Sequence, residues 1–112
     1  MRDISVYLAD IIESCDFIAE HIKGVSLDDF RKDTLRQDAV IRRFEIIGEA
    51  VKHVPSAMRA QYQDVPWQEA AAFRDVLIHD YPEVIIDDVY GTATEDLPNF
   101  RNQIATILSA GI

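Results

Sequence analysis

Residues 4–22 read ISVYLADIIESCDFIAEHI, and their apolar side chains recur at alternating intervals of four and three residues. This spacing places the apolar side chains on one stripe of an α-helix for about five turns. The members of the stripe are Ile4, Leu8, Ile11, Cys15, Ile18 and Ile22. We therefore predict a first helix that buries this stripe and ends near Gly24, because glycine readily forms the left-handed turn that follows a helix.

The next part of the chain predicts a short helix followed by a long one. Ser26 with Asp29 three positions later can cap a helix that runs through residue 32, and Thr34 with Gln37 repeats this capping pattern. The long helix has its own apolar stripe, formed by Val40, Phe44, Ile47, Val51 and Val54. Gly48 lies within it and costs about 1 kcal/mol of helix stability relative to Ala, which suggests the close approach of a neighbouring helix.

Prolines divide the second half of the chain, at positions 55, 66, 82 and 98. Each fits the first position of a helix, where the missing N–H costs nothing. The segments between them predict helices at about 56–62, 66–80, 82–95 and 98–110. The β-prone run at 84–86 continues at helical spacing through Val89 and Ala93, so no strand is predicted. We expect an all-α, up-down bundle of about five or six helices, with residues 1–112 as a single domain.

Several apolar residues lie outside the predicted stripes: Tyr7, Ile12, Phe17, Ile46, Tyr62, Trp67, Ile86 and Tyr90. We predict that some of them form a homodimer interface in which helices of two chains meet as in a four-helix bundle. Tyr62 and Trp67 flank Pro66, and we expect them to pack the short helix at 56–62 against the bundle.

The composition is that of a folded, acidic protein, with 48% hydrophobic residues and a formal net charge of −9. Residues 75–112 hold seven acidic residues and one basic residue, Arg101. This imbalance argues against general nucleic-acid binding, because such binding relies on Lys and Arg that neutralise phosphates. Any RNA contact must be local, at residues such as Arg42, Arg43 and Arg74, or must be shared with another subunit.

Cys15 is the only cysteine, which excludes an intramolecular disulfide and argues against a cysteine-based zinc site. The chain does not open with a basic segment followed by an apolar run, and no apolar stretch approaches the length that spans a bilayer. We therefore expect a cytoplasmic protein that makes no membrane contact.

Residues 73–82, FRDVLIHDYP, concentrate an arginine, a histidine and a tyrosine at the predicted end of a helix. Arg74 can bind a phosphate through two parallel hydrogen bonds. His79 can accept or donate a proton near neutral pH, and the flanking Asp75 and Asp80 could hold its tautomer or raise its pKa.

The geometry of an ideal helix separates two of these residues. Arg74 and His79 are five positions apart and point about 140° from each other, whereas Arg74 and Tyr81 lie about 20° apart. A joint site for Arg74 and His79 therefore needs a break of the helix before Pro82, a second subunit, or both. An alternative needs no chemistry: the helix buries residues 76–78 and carries its polar side chains on the solvent side.

One face of the long third helix carries two basic and two acidic residues: Arg42, Glu45, Glu49 and Lys52. They can form solvated ion pairs along the helix, or Glu45 or Glu49 can brace Arg74 from a neighbouring helix. A metal site at these carboxylates is poorly supported, because His53 is the only imidazole near them. His53 and His21 stand at helix ends, where a cation is favoured by the helix dipole, and we predict a capping role for both.

The spacing of Arg74, His79 and Tyr81 resembles the signature of the HEPN superfamily, in which four residues separate the arginine from the histidine and one residue precedes the tyrosine. Further blocks in the same order, over nearly the whole chain, are similar to the HepT-like toxins: Gln37 to Arg42, Ile46 to Ala50, Val65 to Trp67 and Glu95 to Pro98. The resemblance implies a HEPN-type bundle that dimerises and places two copies of the motif at a shared cleft.

Carried over by position, the resemblance implies that Arg74 and His79 are the catalytic pair of a metal-independent endoribonuclease without a cofactor. The residues expected to support the site are Asp75, Arg42 and Glu49. The resemblance also implies a type VII toxin–antitoxin system, in which an MntA-like minimal nucleotidyltransferase antitoxin transfers AMP from ATP to Tyr81. The alternatives are a non-catalytic binding subunit of that nucleotidyltransferase and a purely structural four-helix homodimer.

Overall fold

The computed structural model describes residues 3–79 and 84–111, and all regular secondary structure in these ranges is helical. The elements in chain order are α1 (Ile4–Ile22), α2 (Leu27–Lys32), α3 (Thr34–Lys52), α4 (Ser56–Gln61), α5 (Trp67–His79), α6 (Ile86–Gly91), a π-helix (Thr92–Asp96) and α7 (Leu97–Ser109). Helix α3 packs against both α1 and α5, and α1 also packs against α7. The predicted all-α bundle is confirmed.

The two apolar stripes predicted from the sequence meet at the centre of the core. On α1 the buried members are Leu8, Ile11, Cys15, Ile18 and Ile22, and the second stripe contributes Val40, Phe44, Ile47, Val51 and Val54. The two helices run antiparallel: Arg36 at the start of α3 donates from Nη1 to the carbonyl oxygen of His21 (2.6 Å), while His53, after α3, stacks on Tyr7 near the start of α1. Burial raises the pKa of the Cys15 thiol to about 12, in keeping with its predicted core position.

The first two helix boundaries lie where the sequence predicts them. Gly24 follows α1 with a φ of +73°, the left-handed conformation of a residue that ends a helix. Ser26 Oγ accepts a hydrogen bond from the backbone N–H of Asp29 at 3.1 Å and caps α2. Local capping chemistry therefore defines both ends of the α1–α2 connection.

The start of α3 differs from the prediction, because Asp33 rather than Thr34 is the capping residue. Asp33 lies outside the helical region, with φ −112° and ψ 84°, and its Oδ1 accepts from the N–H of Arg36 at 3.0 Å. Gln37 does not cap the helix either, since its Nε2 donates to the carbonyl oxygen of Phe30 at 2.8 Å. The N-cap of α3 therefore lies one residue before the predicted position.

Two of the prolines stand immediately before helices rather than at their first positions. The carbonyl oxygens of Pro55 and Pro66 accept from the N–H groups of Arg59 and Ala70, and α4 and α5 begin at the next residue in each case. A proline carbonyl can begin a helical hydrogen-bond ladder although its nitrogen has no hydrogen. Pro82 lies outside the described residues.

Pro98 lies in the first turn of α7, as predicted, but the expected break between the helices before it is absent. The backbone from 86 to 109 is helical throughout, and the turn before the proline is a π-helix in which the Leu97 N–H bonds to the Thr92 carbonyl oxygen. This wider turn accommodates a residue that has no N–H to donate and whose ring needs space near the carbonyl four residues earlier. The expected helix from 82 is first helical at Ile86 among the described residues.

The apolar residues expected at a dimer interface are largely used within the chain. Trp67 is buried and donates from Nε1 to the carbonyl oxygen of Tyr62 at 3.0 Å, as predicted for the packing of α4. The Tyr90 hydroxyl donates to the carbonyl oxygen of Val25 at 2.7 Å. The others are half-buried: Tyr7, Ile12, Phe17, Ile46 and Ile86. The homodimer itself stays a prediction.

Different apolar residues lie at the surface. The alternative in which α5 buries residues 76–78 holds for Leu77 alone, whereas Val76 and Ile78 are 42% and 39% exposed. Successive helical residues point about 100° apart, so three in a row do not share one buried face.

Within residues 3–79 and 84–111, no helix is long and apolar enough to cross a membrane.

Candidate active site

Helices α3 and α5 approach each other most closely at Gly48. A Cβ atom built on Gly48 would lie 2.1 Å from the Cβ of Arg74 and 3.0 Å from the carbonyl oxygen of Ala70. Only a residue without a side chain fits here, which confirms the close helix approach predicted for this glycine. The contact also fixes the stem of Arg74 against α3.

The guanidinium of Arg74 is held by two carboxylates. Its Nη2 lies 3.2 Å from Glu49 Oε2 on α3, and its Nη1 lies 3.0 Å from Asp75 Oδ1. The side chain is 22% exposed, and its buried Nε has no hydrogen-bond partner among the described residues. Of the two carboxylates predicted to brace Arg74, Glu49 does so, and the guanidinium keeps a fixed orientation at a partly open surface.

Asp75 connects Arg74 to a second cation. Lys52 Nζ donates to Asp75 Oδ1 at 2.6 Å, and this hydrogen bond, followed by the one from Arg74, lowers the pKa of the Asp75 carboxyl. Asp75 is therefore ionised at neutral pH and orients both cations. The sequence predicts that Lys52 lies on the same face of α3 as Glu49, but it does not predict the hydrogen bond of Lys52 to Asp75.

Glu49 also connects Arg74 to an aromatic pair that the sequence analysis missed. Its Oε1 lies 3.5 Å from His53 Nε2, and the His53 ring stacks on Tyr7 with centroids 4.6 Å apart and an interplanar angle of 3°. His53 is the C-cap residue of α3, as expected, through its backbone N–H, while its side chain contacts Glu49 and Tyr7. The contact between Glu49 and His53 could have been predicted, because residues four positions apart are neighbours on a helix surface.

The other helix-end histidine behaves as predicted. His21 Nδ1 lies 2.8 Å from the carbonyl oxygen of Phe17 in the last turn of α1, and its ring stacks on the Phe17 ring. Arg43 covers the Phe17 ring as well, with Cζ 4.3 Å from the ring centroid. This cluster lies at the opposite end of the α1–α3 pair from Tyr7 and His53.

Arg42 was expected to support the site, but its ion pair is with another residue of α3. Its Nη1 lies 3.5 Å from Glu45 Oε1, and its side chain is 70% exposed. Arg42 and Glu45 thus form a solvent-exposed ion pair along α3, which is one of the two alternatives given by the sequence. Arg42 nevertheless lines the same surface depression as Glu49.

His79 is the last residue of α5 and is exposed. No contact within residues 3–79 and 84–111 joins it to Arg74, in agreement with the angular separation of the two positions on a straight helix. Asp80 and Tyr81 lie outside the described residues. The structure therefore brings Arg74 together with Glu49 and Asp75, and it leaves His79 apart.

Comparison with known families gives a match over most of the chain. Residues 11–107 match the model of the family described as "Ribonuclease HepT-like". The chain belongs to the HepT-like ribonuclease family. The resemblance drawn from the motif and its flanking blocks is thereby confirmed, and the helical bundle is that of a HEPN-type protein.

Curated relatives of this HepT-like chain include proteins named for ribonuclease activity. It is 41% identical over 108 residues to a protein described as "Putative RNase" from Caldanaerobacter subterraneus subsp. tengcongensis, with 96% of each chain covered. It is 39% identical over 97 residues to "Probable ribonuclease HepT" from Thermococcus cleftensis, covering 87% of this chain and 88% of that one. A Methanocaldococcus jannaschii relative, "Gamma-glutamylcyclotransferase and putative RNase", is 40% identical over 107 residues, and this chain spans 48% of its length. No solved structure matches.

The side chains of this HepT-like site suit phosphate binding better than metal binding. A guanidinium with fixed orientation can donate two parallel hydrogen bonds to a phosphate. Among the described residues, no group of three or more His, Cys, Asp or Glu side chains is placed to hold a metal ion.

Proposed function

We propose that this HepT-like protein, with residues 1–112 as a single domain, is the toxin of a type VII toxin–antitoxin system and acts as a metal-independent endoribonuclease. The observation that carries the proposal is the placement of Arg74. Its stem packs on Gly48, its guanidinium is oriented by Glu49 and Asp75, and part of its side chain is exposed where α3 and α5 cross. An oriented and accessible guanidinium is well suited to bind a phosphate and to stabilise its transition state.

The proposed reaction uses the 2′-OH of the RNA as the nucleophile. The 2′ oxygen attacks the adjacent phosphorus, the bond from phosphorus to the 5′ oxygen breaks, and the products are a 2′,3′-cyclic phosphate and a 5′-OH. One imidazole removes the proton from the 2′-OH, and an acid returns a proton to the leaving oxygen; His79 fits both roles near neutral pH. Arg74 stabilises the additional negative charge on the five-coordinate phosphorus.

We infer a homodimer because one chain does not join the two catalytic residues. Helix α5 continues through His79, so the Arg74 and His79 side chains stay about 140° apart around it. The exposed Val76 and Ile78 next to His79 support a protein contact at this end of α5. In a symmetric dimer, each cleft would combine Arg74 of one chain with His79 of the other, and the two clefts would lie close together.

We further propose that an MntA-like nucleotidyltransferase antitoxin neutralises the enzyme by AMP transfer to Tyr81. The Tyr81 hydroxyl oxygen would attack the α-phosphorus of ATP, release pyrophosphate and give up its proton. The attached phosphodiester carries one negative charge and would compete with RNA for Arg74. ATP and RNA are both cytoplasmic, which is where we expect the system to act.

The test is cleavage of a single-stranded RNA by the purified protein in EDTA. Arg74→Ala and His79→Ala should each lower the cleavage rate by roughly 100-fold or more while the circular dichroism spectrum and Tm stay close to those of the wild type. His21→Ala, which removes another helix-end histidine, is the matched control and should cleave normally. Full cleavage by either motif variant would refute the assignment and point to a contaminating nuclease.

A second function is favoured by the local charge. Arg74 already pairs with two carboxylates, and residues 75–112 hold seven acidic residues and one basic residue, which weakens RNA binding. The protein would then be the non-catalytic binding subunit of the nucleotidyltransferase. A tight complex and an ATP-dependent mass gain on Tyr81, from a protein that never cleaves RNA, would establish this alternative.

A further inference from the structure

A surface depression adjoins Arg74 and has no role in the proposed chemistry. It has a volume of about 270 Å³ and lies between the start of α1 and the second half of α3. Its principal lining residues are Tyr7, Asp10, Arg42, Ile46, Glu49 and His53. Glu49 belongs to both places, since its carboxylate lines the depression and also pairs with Arg74 at 3.2 Å. A group bound in the depression would therefore be one side chain away from a phosphate bound at Arg74.

The depression contains an aromatic platform. The Tyr7 and His53 rings are almost parallel, with centroids 4.6 Å apart. The His53 side chain remains 48% exposed although one of its faces lies on Tyr7. An exposed planar ring of this kind is the usual stacking surface for a base of single-stranded RNA.

The charges around the platform favour a base over a second phosphate. One arginine and two carboxylates line the depression, namely Arg42, Asp10 and Glu49. The edge of a base presents donors and acceptors that match both carboxylate and guanidinium groups, whereas a phosphate presents acceptors only. Arg42 is free to turn towards a ligand, because its side chain is 70% exposed and its pair with Glu45 is long, at 3.5 Å.

The other aromatic and histidine pair of the α1–α3 layer shows that stacking at a helix end does not by itself make such a platform. His21 stacks on Phe17 with centroids 3.9 Å apart, and Arg43 lies over the Phe17 ring. The His21 ring is also tied to the carbonyl oxygen of Phe17 by a contact of 2.8 Å. These partners account for the Phe17–His21 cluster within the fold, so it serves as an internal comparison.

We propose that the depression formed by Tyr7, Arg42, Glu49 and His53 is a nucleobase-binding subsite. It holds the base of a nucleotide whose phosphate lies at Arg74, with the base stacked on His53. This proposal rests on the proposed ribonuclease function and adds to it the part of the substrate that is recognised next to the cleaved phosphate.

The test is a titration of the full-length His79→Ala protein, followed by NMR of the Tyr7 and His53 ring signals. The probes are 5′-GMP and 5′-UMP, with ribose 5-phosphate as the matched probe that lacks a base. Both nucleotides should shift the two ring signals saturably, and ribose 5-phosphate should not. Absent shifts at both rings, or equal shifts with ribose 5-phosphate, would overturn the proposal.

Variants of the platform separate stacking from other roles of His53. His53→Ala should weaken nucleotide binding by roughly 5- to 100-fold, whereas His53→Phe should restore most of it, because the ring is kept and only the contact with Glu49 is lost. His21→Ala is the control and should bind as the parent protein does. Equal weakening in His53→Ala and His53→Phe would show that the ring does not stack on a base and would refute the subsite.

Two outcomes distinguish this proposal from the proposed function. If the wild type cleaves RNA in EDTA and the nucleotides leave the two rings unshifted, the subsite is wrong and the ribonuclease function stands. If the wild type never cleaves RNA while the nucleotides shift both rings, the depression binds bases and the ribonuclease function is wrong.

Discussion

At the scale of single residues, Gly48 controls where Arg74 lies. We predict that Gly48→Ala lowers stability, because the new methyl group would overlap the Arg74 Cβ and approach the carbonyl oxygen of Ala70. Neither atom is the end of a flexible side chain, so α5 must move. Overpacking costs about 1–3 kcal/mol, and an approach as close as 2.1 Å between two Cβ atoms places this variant at the upper end, above the gain of about 1 kcal/mol from replacing a helical glycine. Urea unfolding and RNA cleavage should both show the loss.

Gly91 supplies the control for this substitution. It lies in helical backbone, with φ −61°, and a Cβ atom on it would meet nothing within 4 Å. Gly91→Ala should therefore raise the free energy of unfolding by up to about 1 kcal/mol. Equal changes in the two variants would mean that the contact between Gly48 and Arg74 does not limit the packing of α3 on α5.

The residue scale also shows which part of the site could be predicted. The pairing of Glu49 with Arg74 was one of two alternatives left open, because helical periodicity gives the exposed face of α3 but does not say whether its carboxylates pair along α3 or with another helix. The stacking of His53 on Tyr7 and the hydrogen bond of Lys52 to Asp75 were not foreseen. Both contacts join residues from different parts of the fold. The periodicity of a single helix shows which residues share a face, but it does not show which residues of another helix will lie next to them.

At the scale of helices, predictions based on local periodicity were the most reliable. The buried residues of α1 and α3 were predicted individually, because apolar residues three and four positions apart lie on the same helical face, which is the face that is buried. Predictions based on single capping or breaking residues were weaker. Asp33 rather than Thr34 caps α3, because the Asp33 backbone lies outside the helical region, and a π-helix joins α6 to α7 just before Pro98. Such backbone adjustments depend on the packed structure.

Helix α5 carries a prediction about assembly. Ile78 is 39% exposed and precedes His79, so Ile78→Lys should place a charge in the proposed dimer interface and weaken association by about 10- to 100-fold. Folding should be kept, because lysine is a good helix former. Sedimentation velocity at micromolar concentration should show the wild type as a dimer and this variant shifted towards the monomer.

Leu35→Lys is the matched control for this assembly test. Leu35 is 85% exposed near the start of α3, whereas Asp75, which lies four residues before His79 on α5, pairs with Lys52 at the opposite end of α3. This variant should sediment as the wild type does. Dissociation by both variants, or by neither, would contradict an interface at the end of α5.

At the scale of the whole molecule, the net charge of −9 does not by itself determine the charge around Arg74. Several acidic residues are neutralised by basic residues that are distant in sequence. Arg31 forms two hydrogen bonds with Asp87, at 2.9 and 2.6 Å, and Arg101 pairs with Asp16 at 3.0 Å. A count of charges along the chain does not show these pairs, because they form only when the helices pack. Local cations at α3 and α5 can therefore bind a phosphate in an acidic protein.

A composite site makes a specific prediction for mixed dimers of two inactive proteins. In a dimer of one Arg74→Ala chain and one His79→Ala chain, one cleft lacks both catalytic residues and the other has both intact. Random mixing makes about half of the dimers mixed, so cleavage should recover to about a quarter of the wild-type rate after subunit exchange. Each variant alone should remain inactive. If Arg74 and His79 instead met within one chain through the turn after α5, every chain in the mixture would lack one of them, and exchange would restore nothing.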